Sequence, residues 1–267
     1  MKKVLFIFTI FFSFGLNAQN IDEIINSYFE NVGGKENWSK IEGLYTKGKM
    51  KMQGMEIPFD SYQFKDGRSA QIANFQGKEM TFLAFDGKIA WGVNFMNMKA
   101  EKKNDETIET LQNATKEFPS VFLNYKENGF ELTLDGEKDI DGTPTFKVKL
   151  VKDSVSINGQ KFPSIEYIYF DQESFVPIMK EAAIPVGPMA GQVAETYLGN
   201  YQEVDGLYFP FEMSSKINGQ VMQSMIFDEY KINPEVDSSI FAFPVEQVEE
   251  VKEVKDTTVN KTVKEQK

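Results

Sequence analysis

Pairs of Asp-Gly or Asn-Gly recur along the chain between short stretches in which apolar and polar residues alternate. They are Asp66-Gly67, Asp86-Gly87, Asp141-Gly142, Asn158-Gly159, Asp205-Gly206 and Asn218-Gly219. Such pairs accept the positive φ angles of the two-residue turns that join antiparallel strands. Between Leu44 and Met52 the alternation sets apolar or small residues against lysines. This period of two is typical of a strand with one buried face. The chain is therefore predicted to be an antiparallel meander.

The same alternation, divided by these turns, predicts twelve strands. They cover residues 44–52, 57–64, 68–75, 80–85, 89–95, 130–134, 145–151, 164–170, 176–182, 193–202, 207–217 and 221–230. A sheet of this length with one apolar face is not stable when flat and half exposed, so it must curl. We predict a mainly β (α+β) fold: a strongly curved antiparallel sheet or incomplete β-barrel, with helices covering the concave face.

Three segments show helical rather than alternating spacing of apolar residues. Residues 21–32 form an amphipathic pattern, with Asn20 and Glu23 placed as a capping box and two glycines at the end. A short helix is predicted at 35–41, around Trp38. In 105–125, Pro119 is predicted to divide the segment into two helices. These helices would act as a lid or plug.

The two ends of the chain have compositions of their own. Residues 1–18 combine a basic start, an apolar run and a small residue at 18, which is the layout of a cleaved secretory signal peptide. An uncleaved membrane anchor is the alternative. Residues 245–267 carry charges and valines without an aromatic residue or glycine, and predict a disordered tail, with a coiled-coil stub as the alternative. Residues 19–244 would then form one domain of an exported, periplasmic protein.

The absence of histidine and cysteine removes most catalytic and metal-binding chemistry. Neither a Ser-His-Asp nor a Cys-His arrangement can form, and the commonest zinc and haem ligands are missing. A net charge of −11 argues against a nucleic-acid surface. Among the remaining residue types, carboxylates on or beside strands could supply an acid–base pair. Nothing in their spacing, however, places two of them together on one face. We therefore predict no catalytic residue, no metal, no cofactor and no enzymatic activity. The acid-rich stretch 135–142 is better explained by adjacent hairpin turns than by a calcium loop.

Methionine and phenylalanine are abundant, with 12 and 24 residues, and many methionines lie on or beside predicted strands. Methionine is flexible and polarisable, which suits a wall that accommodates irregular apolar guests. Ordinary core packing is the alternative. The apolar, Pro/Gly-rich connection 182–191 indicates contact with a lipid, a partner or the mouth of a cavity, unless it folds over the sheet and is buried.

Several short segments resemble the LolA/LolB-like periplasmic lipoprotein carriers, particularly the Bacteroidetes-type outer-membrane lipoprotein-sorting proteins. The segments that carry this resemblance are 24–28 with 33–38, 85–94, 169–171 with 176–178, 205–210 and 233–244. The resemblance implies an incomplete barrel closed by helices over a cavity that takes acyl chains. Arg68, the only arginine, resembles by position a basic residue that latches the helical lid through hydrogen bonds. A surface arginine beside a turn is the plain alternative.

We therefore expect a monomeric carrier that binds the acyl chains of lipids or lipoproteins and exchanges them with envelope donor and acceptor proteins. Strand parity selects the cavity lining as Met50, Met52, Phe59, Ile72, Phe82, Trp91, Val93, Phe146, Val148, Phe209 and Met225. Two other hypotheses stay open. One is an envelope scaffold whose sheet is filled by its own side chains, and the other is a hydrolase that uses two converging carboxylates.

Overall fold

A computed structural model describes residues 20–75 and 77–244. The helices are α1 (Ile21–Asn31), α2 (Lys35–Ser39) and α3 (Asp105–Thr115), and a 3₁₀ turn follows at Ser238–Ile240. The strands are β1 (Gly43–Met52), β2 (Met55–Phe64), β3 (Ser69–Phe75), β4 (Lys78–Phe85), β5 (Ala90–Asn94), β6 (Lys99–Lys102), β7 (Glu131–Ile140), β8 (Thr143–Ile157), β9 (Gln160–Asp171), β10 (Pro177–Ala183), β11 (Val193–Val204), β12 (Leu207–Ile217) and β13 (Gln220–Ile232).

Within residues 20–75 and 77–244, all thirteen strands form one antiparallel, curved and unclosed sheet, with the order β6-β5-β4-β3-β2-β1-β13-β12-β11-β10-β9-β8-β7. The chain meanders outward from β1 to β6, crosses through α3 to the far edge at β7, and meanders back. The last strand therefore pairs with the first in the middle of the sheet, from Leu44 opposite Ile232 to Met52 opposite Gln223. The predicted fold class is confirmed.

Each predicted strand is present, and β6 is an addition that the sequence pattern did not indicate. It is only four residues long and reads Lys-Ala-Glu-Lys, so it shows no apolar alternation. Charged residues on a short edge strand oppose pairing with another chain. The open edges of this sheet are β6 and β7.

The predicted turns are confirmed in part. Gly-containing turns with positive φ at both residues join the strands at 53–54, 141–142, 158–159, 205–206 and 218–219. The prediction of two-residue turns is wrong at Asp66-Gly67 and Asp86-Gly87, where the connections are longer. Asp86 accepts hydrogen bonds from the amides of Lys88 and Ile89 at 2.8 and 2.7 Å, which stabilises the wider loop. The prediction of adjacent hairpin turns at 135–142 is also partly wrong, because Gly136 lies at a bulge inside β7 with φ of 101°.

The first helix begins as predicted. Asn20 accepts a hydrogen bond from the Glu23 amide at 2.9 Å, and Glu23 accepts one from the Asn20 amide at 3.2 Å. The helix predicted after Pro119 is absent, and a series of turns takes its place. Val121, Phe122 and Leu123 are all buried, whereas an amphipathic helix lying on the sheet would turn at least one of three consecutive side chains away from the core.

The main core lies between α1, α2, the turns of 121–125 and one face of the sheet. We call this face the inner face. Its helical contribution includes Ile24, Phe29 and Trp38, and the sheet contributes Val148, Ile168 and several aromatic residues. The predicted covering of the curved face by helices is thus confirmed for α1 and α2. In contrast, α3 has no buried residue and lies against β8.

A second, smaller core lies on the opposite, outer face. Ala70, Ala84 and Trp91 stand opposite one another on neighbouring strands, and Phe241 packs over them. The Trp91 indole N–H donates to the Phe241 carbonyl at 2.9 Å. The segment after β13 is thereby fixed to the outside of the sheet.

Asn233 links the end of the last strand to the start of the first. Its side-chain oxygen accepts from the amides of Glu42 and Gly43 at 2.7 and 3.0 Å, and its amide group donates to the Lys40 carbonyl at 3.2 Å. Its backbone is left-handed, with φ of 51°. Asparagine therefore satisfies a backbone and a side-chain requirement at once.

We predict that Asn233→Gly lowers the free energy of unfolding by about 1–2 kcal/mol, because it keeps the backbone shape and removes the hydrogen bonds. Asn233→Ala should cost about 1 kcal/mol more, because alanine is strained at positive φ. Asn158→Gly is the control, since Asn158 has the same φ of 51°. Urea denaturation measures all three, and equal stability of the two Asn233 variants and the control would contradict the assignment.

Candidate functional site

The inner face carries an apolar cavity of about 190 Å³ where β1 to β4 and β13 meet. Its walls are formed by Thr46, Met50, Phe59, Ser61, Gln71, Ile72, Ala73, Phe82, Met225 and Phe227. Most of the exposed wall area belongs to carbon and sulfur atoms. The site can therefore hold an apolar guest, and it offers only hydroxyl and amide groups for polar contact.

Strand register brings these residues together. Met50 lies opposite Ile57 on one side and Met225 on the other, and Phe59 lies opposite Gly48. Gly48 lies at a register shift, and a Cβ there would come within 2.4 Å of the Ile226 carbonyl oxygen. Glycine thus permits the close approach of β1 and β13 and leaves the space beside Phe59 unfilled.

A run of aromatic rings fills the other part of the inner face. Starting at the cavity wall, centroids of successive rings lie between 4.9 and 6.4 Å apart. The run is Phe59, Phe227, Tyr230, Phe209, Trp38, Phe29, Tyr28, Phe122 and Phe170. It passes from the sheet onto α2 and α1 and returns to the sheet. The interior beneath the two N-terminal helices is therefore largely filled by aromatic rings, apart from a second cavity beside Tyr28 and Trp38, and it is open beside β1 to β4.

The third helix lies across the inner side between the two parts of the sheet. Near its start, Glu106 accepts from the amides of Asn158 and Gly159 at 3.0 and 2.6 Å. At its end, Thr115 lies beside the turn at Gly67, where a Cβ would come within 3.3 Å of the Thr115 hydroxyl. Because α3 has no buried side chain, polar and half-buried contacts hold it in place.

Arg68 lies in that turn and helps to line a small space of about 40 Å³ beside Leu111 and Thr115. Its Nε donates to Asp66 at 2.8 Å. Its guanidinium carbon lies 4.9 Å from the centre of the Phe64 ring and 5.3 Å from that of Phe241. Arg68 thus lies beside the helix, but the hydrogen bonds that the structure gives it are within its own turn. The latch role stays a prediction.

Two carboxylates converge on the inner face at Lys152. The Lys152 ammonium lies 2.9 Å from both Glu117 oxygens and 2.5 Å from Glu166. Burial alone would lower the pKa of Lys152, but the two neighbouring carboxylates outweigh it and raise the pKa. Both acids also line a cavity of about 240 Å³ together with Lys180, Tyr28 and Tyr201. The arrangement is a charge-paired cluster at the border between the packed and open parts of the interior.

The structure distributes ten of the eleven predicted lining residues over three environments and places Met52 outside all of them. Those that line the 190 Å³ cavity are Met50, Phe59, Ile72, Phe82 and Met225. Phe146, Val148 and Phe209 belong to the main core under α1 and α2. Trp91 and Val93 pack in the outer-face core. Met52 is half-buried near the end of β1 and is not part of the cavity wall.

Sequence reasoning missed Thr46, Ser61 and Gln71 because it selected only apolar residues, and it also missed the apolar wall residues Ala73 and Phe227. Thr46 and Ser61 stand opposite each other in the register. Thr46 is four residues from Met50, and Ser61 is two residues from Phe59. Side chains an even number of residues apart on a strand lie on the same face, and this spacing was the available signal. Trp91 was assigned to the wall by parity alone, although nothing in its own strand reveals that Phe241 covers it.

No protein-family model matches the sequence, and neither does any curated protein. Solved structures do match. A LolA superfamily protein from Nitrosomonas europaea aligns with a TM-score of 0.52 at 12% identity, over 84% of this chain and 98% of the other. A DUF1329 family protein from Desulfovibrio piger aligns with a TM-score of 0.53 at 8% identity, over 83% of this chain and 97% of the other. The chain thus has a LolA-like fold.

Two further observations bear on the kind of site. Within the described residues, no helix is long and apolar enough to cross a membrane. The same part of the chain contains no group of three acidic residues arranged to hold a metal ion. The predicted signal peptide at 1–18 and the predicted tail at 245–267 lie outside the described residues.

We predict that Lys152→Met lowers the free energy of unfolding at pH 7 by roughly 2–4 kcal/mol, because it leaves two carboxylates together without their cation. In the unchanged protein the raised pKa means that this contribution is complete at neutral pH and is lost only as the pH rises through that pKa. Lys161→Met, an exposed lysine on β9, is the control. Equal stability of the two variants at pH 7 would contradict the cluster's role.

Proposed function

We propose that this protein is a periplasmic carrier that encloses acyl chains of lipids or lipoproteins in the cavity beside β1 to β4. Residues 1–18 would direct export and be removed, and the chain would act without a cofactor or catalysis. The observation that carries the proposal is the incomplete filling of the inner face. Helices and aromatic rings pack one part of it, and the part lined by Met50, Phe59 and Met225 stays open.

The physical need for such a carrier follows from the cost of exposing hydrocarbon to water. Each methylene buried is worth about 0.8 kcal/mol, so a lipid leaves a membrane only for another apolar environment. The cavity of about 190 Å³ is smaller than the roughly 300–1,000 Å³ of typical ligand pockets. A long chain therefore requires the wall to yield, and the methionines and the lightly held α3 are suited to this.

A second function has one observation in its favour. The packed aromatic run resembles the interior of a scaffold that fills its sheet with its own side chains. For such a protein the cavity would be a packing defect without a guest. The two hypotheses therefore differ in whether filling the cavity changes anything except stability.

We predict that Thr46→Trp lowers the affinity for a fluorescent fatty acid at least tenfold, because an indole at this position fills the cavity. Lys47→Trp is the matched control, since Lys47 is the exposed next residue on β1 and points to the other face. Fluorescence titration measures affinity, and circular dichroism checks that both variants are folded. Failure of the unchanged protein to bind the probe, or equal affinity of the two variants, would favour the scaffold.

A further inference from the structure

The turns at the two ends of the curled sheet differ in chemistry. Because every neighbouring pair is antiparallel, the turns β1–β2, β3–β4, β5–β6, β8–β9, β10–β11 and β12–β13 all lie at one end. The remaining turns lie at the other end, next to the start of β1. We call the first end the apolar rim, because large apolar side chains are exposed there.

Most of the large apolar side chains that are exposed in this structure lie on or next to these six turns. Examples are Met55, Phe75, Met96, Met98, Met189 and Val221. Met96 is 96% exposed, which is unusual for a side chain that has no polar group. The β10–β11 loop at 184–192, singled out in the sequence for its apolar character, belongs to the same rim.

The charged residues near the turns also differ between the two ends of the sheet. The turns at the far end each carry an acidic residue, namely Asp66, Asp86, Asp141, Glu173 and Asp205. The rim turns carry lysines within two residues, namely Lys51, Lys78, Lys99, Lys161 and Lys216, against only two acids, Glu56 and Glu79. Glu56 is paired with Lys49 and Lys51 at 3.2 and 3.4 Å. Two more acids contact these turns, since Glu101 accepts from the Asn97 side chain at 2.9 Å and Glu106 accepts from the backbone amides of Asn158 and Gly159. In a protein with net charge −11, the rim turns are thus lined by five lysines and four acids.

The cavity lies toward this rim. Met50 is three residues before the β1–β2 turn, and Ala73 is two residues before Phe75 at the β3–β4 turn. Phe82 in the cavity wall packs against Phe95 in the β5–β6 turn, with ring centroids 5.0 Å apart. We call the far end the acidic end, because each of its turns carries an acidic residue. The helices α1 and α2 lie at this end, where the Tyr208 backbone N–H donates a hydrogen bond to the Val32 carbonyl oxygen at 3.1 Å. The open part of the interior is therefore adjacent to the apolar turns.

We propose that the apolar rim docks on the surface of a lipid bilayer and places the cavity next to the acyl chains. This inference rests on the proposed carrier function and adds where the guest enters. Separate projecting turns with apolar side chains suit insertion into a fluid interface, where each side chain can be buried independently. Lysines beside the turns can lay their stems along apolar side chains and reach headgroup phosphates with their ammonium groups.

The test is flotation of the processed protein, purified after export, with vesicles of phosphatidylcholine and phosphatidylglycerol. We expect the unchanged protein to float with vesicles and the double variant Met96→Glu/Met98→Glu to bind them at least tenfold more weakly. Tyr208→Glu is the matched control, because Tyr208 is an exposed large side chain at the acidic end. It should bind vesicles as the unchanged protein does.

Fatty-acid binding in solution separates this inference from the carrier function. The double variant should keep the affinity of the unchanged protein for the fluorescent fatty acid, because neither methionine lines the cavity. Absence of vesicle binding by the unchanged protein, or equal vesicle binding by the double variant, would overturn membrane docking and leave the carrier function standing. Sedimentation that shows a dimer dissociated by the double variant would also overturn it, because the rim would then join two copies of the chain.

Discussion

The inner face of this sheet offers more apolar surface than the two N-terminal helices can cover, and the rest of the structure follows from that excess. Thirteen strands must curl to bring their apolar side chains out of water, yet α1 and α2 are only eleven and five residues long. They fill the region of Phe29, Trp38 and Phe209. Beyond Phe227, the nearby helix α3 contributes no buried side chain, so the space stays unfilled by the residues that the structure describes.

The order of the strands decides where the unfilled region lies. Because β13 returns to pair with β1, the sheet is continuous through its middle and its free edges are β6 and β7. The N-terminal helices precede β1 directly, and they pack at the end of the sheet where β1 begins. The cavity is left toward the opposite end, where the hairpin turns carry exposed apolar side chains. The packed region under the helices, the open cavity and the chemically different ends of the sheet are thus arranged by a single chain path.

Much of this architecture could be predicted from the sequence, since strand periodicity and turn glycines are local signals. The alternation from Leu44 to Met52 and pairs such as Asn158-Gly159 specify strands and turns without reference to distant residues. The turns after Pro119 could not be predicted, because Phe122 and Leu123 are held by contacts with other parts of the chain.

The residues of the site could be predicted less completely than the fold, again because contacts between distant parts of the chain decide the outcome. The alternation along the strands correctly grouped Met50, Phe59 and Met225 on one face, because β1 pairs regularly with β2 and the register shift between β1 and β13, at Lys47/Gly48, lies beyond the Met50–Met225 pair. It could not tell that Phe146 and Val148 would be covered by α1, since coverage depends on the three-dimensional path of the helices. It also placed Trp91 on the wall, where the distant Phe241 in fact covers it on the outer face.

Native mass spectrometry of the protein purified from the cell envelope tests most directly whether the open region holds a guest. A carrier should retain a fraction of bound lipid or acylated peptide through gentle purification, seen as discrete mass additions that organic extraction removes. Repeated recovery of protein at its bare mass, which also takes up no added fatty acid, would contradict the account and leave an envelope scaffold with an unfilled corner.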